Sequence, residues 1–348
     1  MTRPKAQTPR PSLNRRTLIL GSVAAGVLAQ PVLARQITAT KIPAGGAAGG
    51  SAAMPAAPSV TPLAANPAVD AAVAQVSQDR ILGSVEALSS FPTRLTEDAN
   101  FFRVEDWVSD AFIRNGAPPA AIQRQGFVLP NGLSRNNVVV GNSADPRGVI
   151  VVGAHFDTYV EPPQTRAPGA NDNASGVAVM LEAYRLLSQL PRDKEIVFAA
   201  FGGEEQDLLG STAFVENAQR AGWRIDLMVN LDMLGLAPRN PRDPIVIEYD
   251  QGNAVASNNA AAREYGLLAA QLAAVHSTLS TVHTDIWDTD YMPFEAAGYP
   301  SIGFYDNGAD APEYHTSNDT MATMDFDRLE QVARIVVATL ATTAGVRA

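Results

Sequence analysis

The chain has 348 residues, 46% apolar and 18% charged, enough hydrophobic content for one large core or two smaller ones. That composition excludes a wholly disordered or collagen-like protein, and a formal net charge of −10 makes nucleic acid and anionic lipid poor partners. With no cysteine, neither disulfides nor thiol chemistry can contribute.

Residues 1–34 stand apart. Arg3, Lys5, Arg10, Arg15 and Arg16 come before any acid, a mildly apolar stretch runs from Thr17 to Leu33, and Val32-Leu33-Ala34 is an acceptable small-residue cleavage site. This order reads as a secretory signal. The Arg15-Arg16 pair resembles a twin-arginine signal, which predicts a periplasmic or secreted protein. The stretch is near the lower length limit for a membrane span, so membrane association is expected only if the signal stays uncleaved. Residues 35–69, dominated by Ala, Gly, Pro and Ser, read as a disordered linker, and 70–348 as a single domain.

Helical periodicity covers about 70–90 and then 98–115, where Phe101, Val104, Trp107, Val108, Ala111 and Phe112 recur at helical spacing before Gly116. The period then changes. Short β-branched runs at 137–140 and 149–152 flank Asp145-Pro146-Arg147-Gly148 and predict a hairpin. Further strands are expected at 195–201, 227–231, 245–249 and 301–305, with helices at about 174–190, 211–221, 258–276, 290–297 and 325–345. Continuous apolar strands alternating with helices predict one three-layer α/β domain, a largely parallel mixed sheet flanked by helices.

Three motifs and two later residues carry the chemistry. They are His155-Phe156-Asp157, Gly169-Ala170-Asn171-Asp172-Asn173-Ala174-Ser175-Gly176 and Gly202-Gly203-Glu204-Glu205-Gln206, followed by Asp232 and His315. His155, Glu204, Glu205 and Asp232 fall at carboxyl ends of expected strands, where open α/β sheets hold their sites. Imidazole plus carboxylate suits zinc and similar divalent ions, and two ions sharing one carboxylate need about five ligands, which this set supplies. Asp157, two residues after His155, is expected to accept that histidine's second ring N–H. His276 and His283 have no ligand partner nearby in sequence, and Ser175 and Ser211 do not sit in Gly-x-Ser-x-Gly.

In this order the motifs, completed by Asn230-Leu231-Asp232-Met233-Leu234-Gly235 and Tyr314-His315-Thr316-Ser317-Asn318-Asp319-Thr320, resemble the M28 zinc aminopeptidase family over roughly residues 80–345. The resemblance implies two Zn²⁺ ions, with Co²⁺ or Mn²⁺ as alternative occupants. Asp172 would bridge them, His155 and Asp232 would complete one ion, and Glu205 and His315 the other. It implies Glu204 as general base, a cis peptide at Asp172-Asn173, and Tyr314 either as an oxyanion donor or as a packing residue. Asp290 and Tyr291 resemble a family segment near the substrate and are expected at the pocket rim, although Thr289 and Tyr291 depart from its pattern. Two Zn²⁺, three carboxylates and a hydroxide would leave the cluster near neutral.

The expected activity is removal of N-terminal residues from peptides with a free α-amine. The same resemblance leaves glutaminyl cyclase, glutamate-type carboxypeptidase and an inactive scaffold as alternatives. Tyr314, where the cyclases tend to carry Trp, and the modest chain length weigh against the first two.

Overall fold

The computed structural model describes residues 65–347, except 142–144, 146, 163, 241–242, 253–254 and 256. The expected signal and all but the last residues of the expected linker lie outside the described residues. Folded sequence begins earlier than 70: helix α1 spans Pro67–Val73, with Pro67 in its first turn and the Asn66 side chain accepting from the amides of Ala68 and Val69. The single pattern expected over 70–90 is two helices, α1 and α2 (Gln78–Ser89). They part where the Ser77 amide donates to Glu182 Oε1 at 2.9 Å, a tertiary contact that overrides local propensity.

Helix α3 (Phe101–Arg114) buries Phe101, Val104, Val108, Ala111 and Phe112, as its periodicity requires. Strands β1 (Ile122–Val128), β2 (Ser134–Val140) and β3 (Val149–His155) lead to α4 (Gly176–Leu187) and β4 (Glu195–Phe201). Then come α5 (Leu209–Arg220), β5 (Ile225–Leu231), β6 (Ile245–Tyr249), α6 (Asn259–His276), β7 (Thr281–Thr284), α7 (Met292–Ala296), β8 (Ser301–Tyr305) and α8 (Phe326–Thr343). Among the described residues no helix is long and apolar enough to cross a membrane.

The eight strands form one sheet in the order β1-β2-β4-β3-β5-β8-β6-β7. Its centre, β4-β3-β5-β8, is parallel, while β1-β2, β2-β4 and β8-β6 are antiparallel. The hairpin expected between 137–140 and 149–152 does not form, because β4 lies between β2 and β3. The hairpin is one strand earlier, β1 with β2, turning at Asn131-Gly132 with Gly132 at φ +85°. β3 is buried at every position and takes parallel neighbours on both sides.

Alternation along the strands feeds two cores. Ile150, Val152, Phe198 and Val229 face α4 and α8, whereas Val151, Val197, Phe201 and Met228 meet Phe214 of α5 and Phe294 of α7. Helices therefore cover both faces, and the loops at the carboxyl ends of β3, β4 and β5 are held on a rigid frame.

One close approach fixes the loop after β4. Asn137, fully buried on β2, accepts from the Gly202 amide at 3.1 Å and donates to the Gly210 carbonyl at 2.8 Å. A Cβ at Gly210 would overlap the Gly202 carbonyl and the Asn137 side chain. Gly210→Ala is expected to destabilise the protein by ~1–3 kcal/mol. Urea unfolding would read this as a lower midpoint at unchanged m-value, and an unchanged midpoint would show that the loop can yield.

Candidate metal centre

His155 is the last residue of β3, Glu204 and Glu205 follow β4, and Asp232 follows β5. Asp172 comes from the turn before α4, and its peptide bond to Asn173 is cis, as the resemblance implied. His315 lies in the loop after β8 with φ +55°, and Met233, next to Asp232, has φ +53°. Left-handed backbone at non-glycine residues is uncommon, and His315 adopts it at a candidate ligand position and Met233 beside one.

These turns bring the five expected ligands together. His155 Nε2 lies 3.2 Å from Asp172 Oδ1 and 3.3 Å from Asp232 Oδ1. His315 Nε2 lies 3.3 Å from Asp172 Oδ2 and 3.1 Å from Glu205 Oε2. Two triads result, His155-Asp172-Asp232 and Asp172-Glu205-His315, each with ligand atoms within 4.8 Å of one another, and Asp172 serves both. Glu204 forms a further such group with His155 and Glu205.

The electrostatics are those of a cation site. Burial opposes a charge on His155, yet Glu204, Asp232 and the contacts with Asp157 and Asp172 outweigh it and raise its pKa well above the usual value. Burial opposes protonation of His315 too, but Glu205 and Asp172 push it up to about 9. Burial would raise Asp172, yet the two imidazoles hold it well below the carboxylate range. Both oxygens of Asp172 and Oε1 of Glu205 are buried without a hydrogen bond. Acceptor atoms without donors, in an imidazole and carboxylate set, fit zinc.

A supporting layer aims the ligands. Asp157 Oδ1 accepts from the Glu204 amide at 3.3 Å, and its Oδ2 from the Glu205 amide at 3.2 Å and the Thr96 hydroxyl at 3.1 Å. Its expected bond to His155 is stretched, with Nδ1 to Oδ1 at 3.6 Å, because the carboxylate is turned to that main chain. The Thr289 hydroxyl donates to Asp232 Oδ2 at 2.8 Å. Asn173 Nδ2 donates to the Leu231 carbonyl, tying the Asp172 turn to β5. Asp319, in the last of the motifs, accepts the amides of Asn171 and Asp172, both at 2.9 Å. Arg94, which no motif marked, donates to the carbonyls of Phe156 and Gly169.

Tyr314 stacks on His315 with ring centroids 3.8 Å apart, and Tyr159 meets the same imidazole edge-on at 5.0 Å. The rim placement of Asp290 and Tyr291 is corrected: both are fully buried. Tyr291 opens α7, and its hydroxyl donates inward to Glu248 Oε2 at 3.0 Å and accepts from the Trp287 amide. Of the other histidines, His283 packs on Tyr249 and His276 lies 3.9 Å from Asp70, neither in the ligand groups.

A mixed sheet with imidazole and carboxylate triads gathered at its carboxyl edge is the arrangement of a metal-dependent hydrolase on an α/β fold. The sequence profile of peptidase family M28 matches residues 137–340, and the chain belongs to that family. Aminopeptidase YwaD of Bacillus subtilis is 34% identical over 55% of this chain and 40% of its own length. A probable zinc metalloprotease of Pyrenophora teres is 27% identical over 78% of this chain and 67% of its own length. Among solved structures, the LapA aminopeptidase of Legionella pneumophila superposes with a TM-score of 0.66 at 21% identity, over 80% of this chain and 75% of its own. Porphyromonas gingivalis glutaminyl cyclase does so with 0.62 at 23%, over 77% and 99%. These two likenesses establish the shared fold.

The raised pKa of His315 fixes a pH dependence for the metal-free protein. Its protonation contributes stability that is fully present below the unfolded value near 6.5 and is lost as pH rises through about 9. The thermal midpoint of metal-free protein should therefore fall between those limits. A midpoint flat across that window would refute the assignment.

Proposed function

We propose that the chain is an exported dinuclear zinc aminopeptidase that hydrolyses the N-terminal bond of peptides. The observation that carries this reading is the pair of triads sharing Asp172. His155, Asp172 and Asp232 would hold one ion, and Asp172, Glu205 and His315 the other. When bound, such ions polarise a substrate carbonyl and lower the pKa of water.

The chain's own residues supply the rest. Glu204 stands with His155 and Glu205 in one group, its amide pinned by Asp157 while Glu205 faces His315. Adjacent glutamates directed to different partners suit a division of labour. A carboxylate oxygen of Glu204 takes the proton of the attacking water and returns it to the leaving amine. A free α-amine of the substrate would be placed by carboxylates at the edge of the cluster. Tyr314 and Tyr159 hold the His315 ring in place.

Purified protein with zinc should cleave leucyl-p-nitroanilide and leave the N-acetylated substrate intact, with activity lost to chelator and restored by zinc. Cleavage of neither, with cyclisation of an N-terminal glutamine peptide, would move the assignment to the cyclase. Glu204→Gln should lower kcat by about 10²–10⁴-fold while retaining both metals. A variant with most of its activity would remove Glu204 from the role of base.

The export part of the proposal rests on the basic, apolar and small-residue order of the N-terminus. Replacing both Arg15 and Arg16 with lysine should leave the protein in the cytoplasmic fraction. Continued export would exclude the twin-arginine route.

A further inference from the structure

The two triads stand on different supports. His155 and Asp232, found only in the first, continue the sheet. His155 lies in register with Phe201 of β4, and the Asp232 amide donates to the Phe304 carbonyl of β8 at 3.3 Å. His315, found only in the second, lies past the end of β8 in turns rather than on a strand. The turns beside it are local: the Tyr314 amide donates to the Ala311 carbonyl at 3.2 Å, and that of Thr316 to Glu313 at 3.1 Å. A left-handed φ of +55° at His315 persists only where the surroundings impose it.

The connection after β3 imposes it. The Glu161 amide donates to the His315 carbonyl at 3.0 Å. Gln164 Oε1 accepts from the Ser317 amide at 2.8 Å, so the main chain is gripped at His315 and again two residues on. The Gln164 amide donates to the Glu161 carbonyl at 3.1 Å, which joins the two grips in one turn. Tyr159, from the same connection, sets its ring edge-on to the imidazole at 5.0 Å, and its hydroxyl donates to Glu161 Oε2 at 3.4 Å. One segment therefore restrains both the backbone and the ring of His315. Gln164 is exposed and Tyr159 partly so, and neither belongs to the core.

We propose that Gln164 and Tyr159 are positioning residues for the second cation position alone. They act through His315 to set the affinity of the Asp172-Glu205-His315 triad and leave the first triad untouched. This deepens the metal-site reading above and rests on it. A ligand that is not held in place must be ordered when the ion binds, and that cost falls only on the ion that uses it.

The test compares the full chain with Gln164→Ala, Tyr159→Ala, Tyr159→Phe and His315→Ala. Bound zinc is titrated against a chromophoric chelator to resolve the two ions. Gln164→Ala and Tyr159→Ala should each weaken one ion by about tenfold and leave the other unchanged. His315→Ala should remove that same ion, and adding Gln164→Ala to it should make no further difference. Tyr159→Phe keeps the ring edge and should bind both ions like the unaltered protein.

A merely structural role would weaken both ions alike, and that result would overturn the proposal, as would unchanged binding in Gln164→Ala. Both side chains lie at or near the surface, so metal-free thermal midpoints should stay close to that of the unaltered protein. An alanine variant that does not fold would count against the proposal. Fewer than two zinc ions on the unaltered protein would instead sink the metal-site reading itself.

Discussion

Negative charge packed at one end of the central sheet is the constraint from which much of this structure follows. Asp172, Asp232, Glu204, Asp157, Asp290 and Asp319 are all buried, and the Glu205 side chain is only 4% exposed. Carboxylates taken out of water must find cations, hydrogen-bond donors or protons. All three solutions are visible. His155 and His315 hold protons against their burial. Asp157 and Asp319 take backbone amides. Burial pushes Asp290 and Asp319 each up to about 7, so that both approach the neutral form at physiological pH.

The fold makes such a cluster tolerable by placing it where the backbone is stiffest. β3, β4 and β5 are almost wholly buried and pair in parallel, so their ends cannot splay. Loops leaving them are tied back by Asn137 after β4, by Asn173 to β5, and by the Gly235 amide, which donates to Asn171 Oδ1 at 2.8 Å. A second buried tier lies behind Asp232. Thr289 donates to it, Tyr291 donates to Glu248, and burial raises Glu248 to about 8. Groups that would add charge are thus pushed toward their neutral forms.

His155, Glu205 and Asp232 were legible because each sits in a motif at the end of an apolar strand, a strong geometric restraint, whereas Asp172 and His315 lie in loops and were legible from their motifs alone. The sheet's margins were not legible. β1 buries only Phe127, and β7 is four residues long, the polar, short form that edge strands take to avoid pairing with other chains. The misplaced hairpin has a related cause: with β1 too polar to read as a strand, the Asn131-Gly132 turn has an apolar run on only one side, whereas Asp145-Pro146-Arg147-Gly148 is flanked by two. Arg94 escaped for another reason, and so did what Asp319 does within its motif. Phe156, a partner of Arg94, is 62 residues away, and Asp172, a partner of Asp319, is 147 residues away, and no spacing rule encodes such a contact.

Hydrogen-bond partnership separates the two kinds of carboxylate that composition makes look alike. Asp157, Asp319 and Asp306 grip backbone amides, those of Glu204 and Glu205, of Asn171 and Asp172, and of Leu236. The acids that grip main chain therefore hold the very segments that carry the others. Asp172, in contrast, has neither oxygen hydrogen-bonded, and Glu205 has one buried oxygen in the same condition. An acceptor left without a donor inside a protein is retained only where something positive serves it. Asp232 lies between the two groups: Thr289 holds one of its oxygens, and the other faces His155. Carboxylates that are satisfied build the site, and those left wanting are the ones directed at cations.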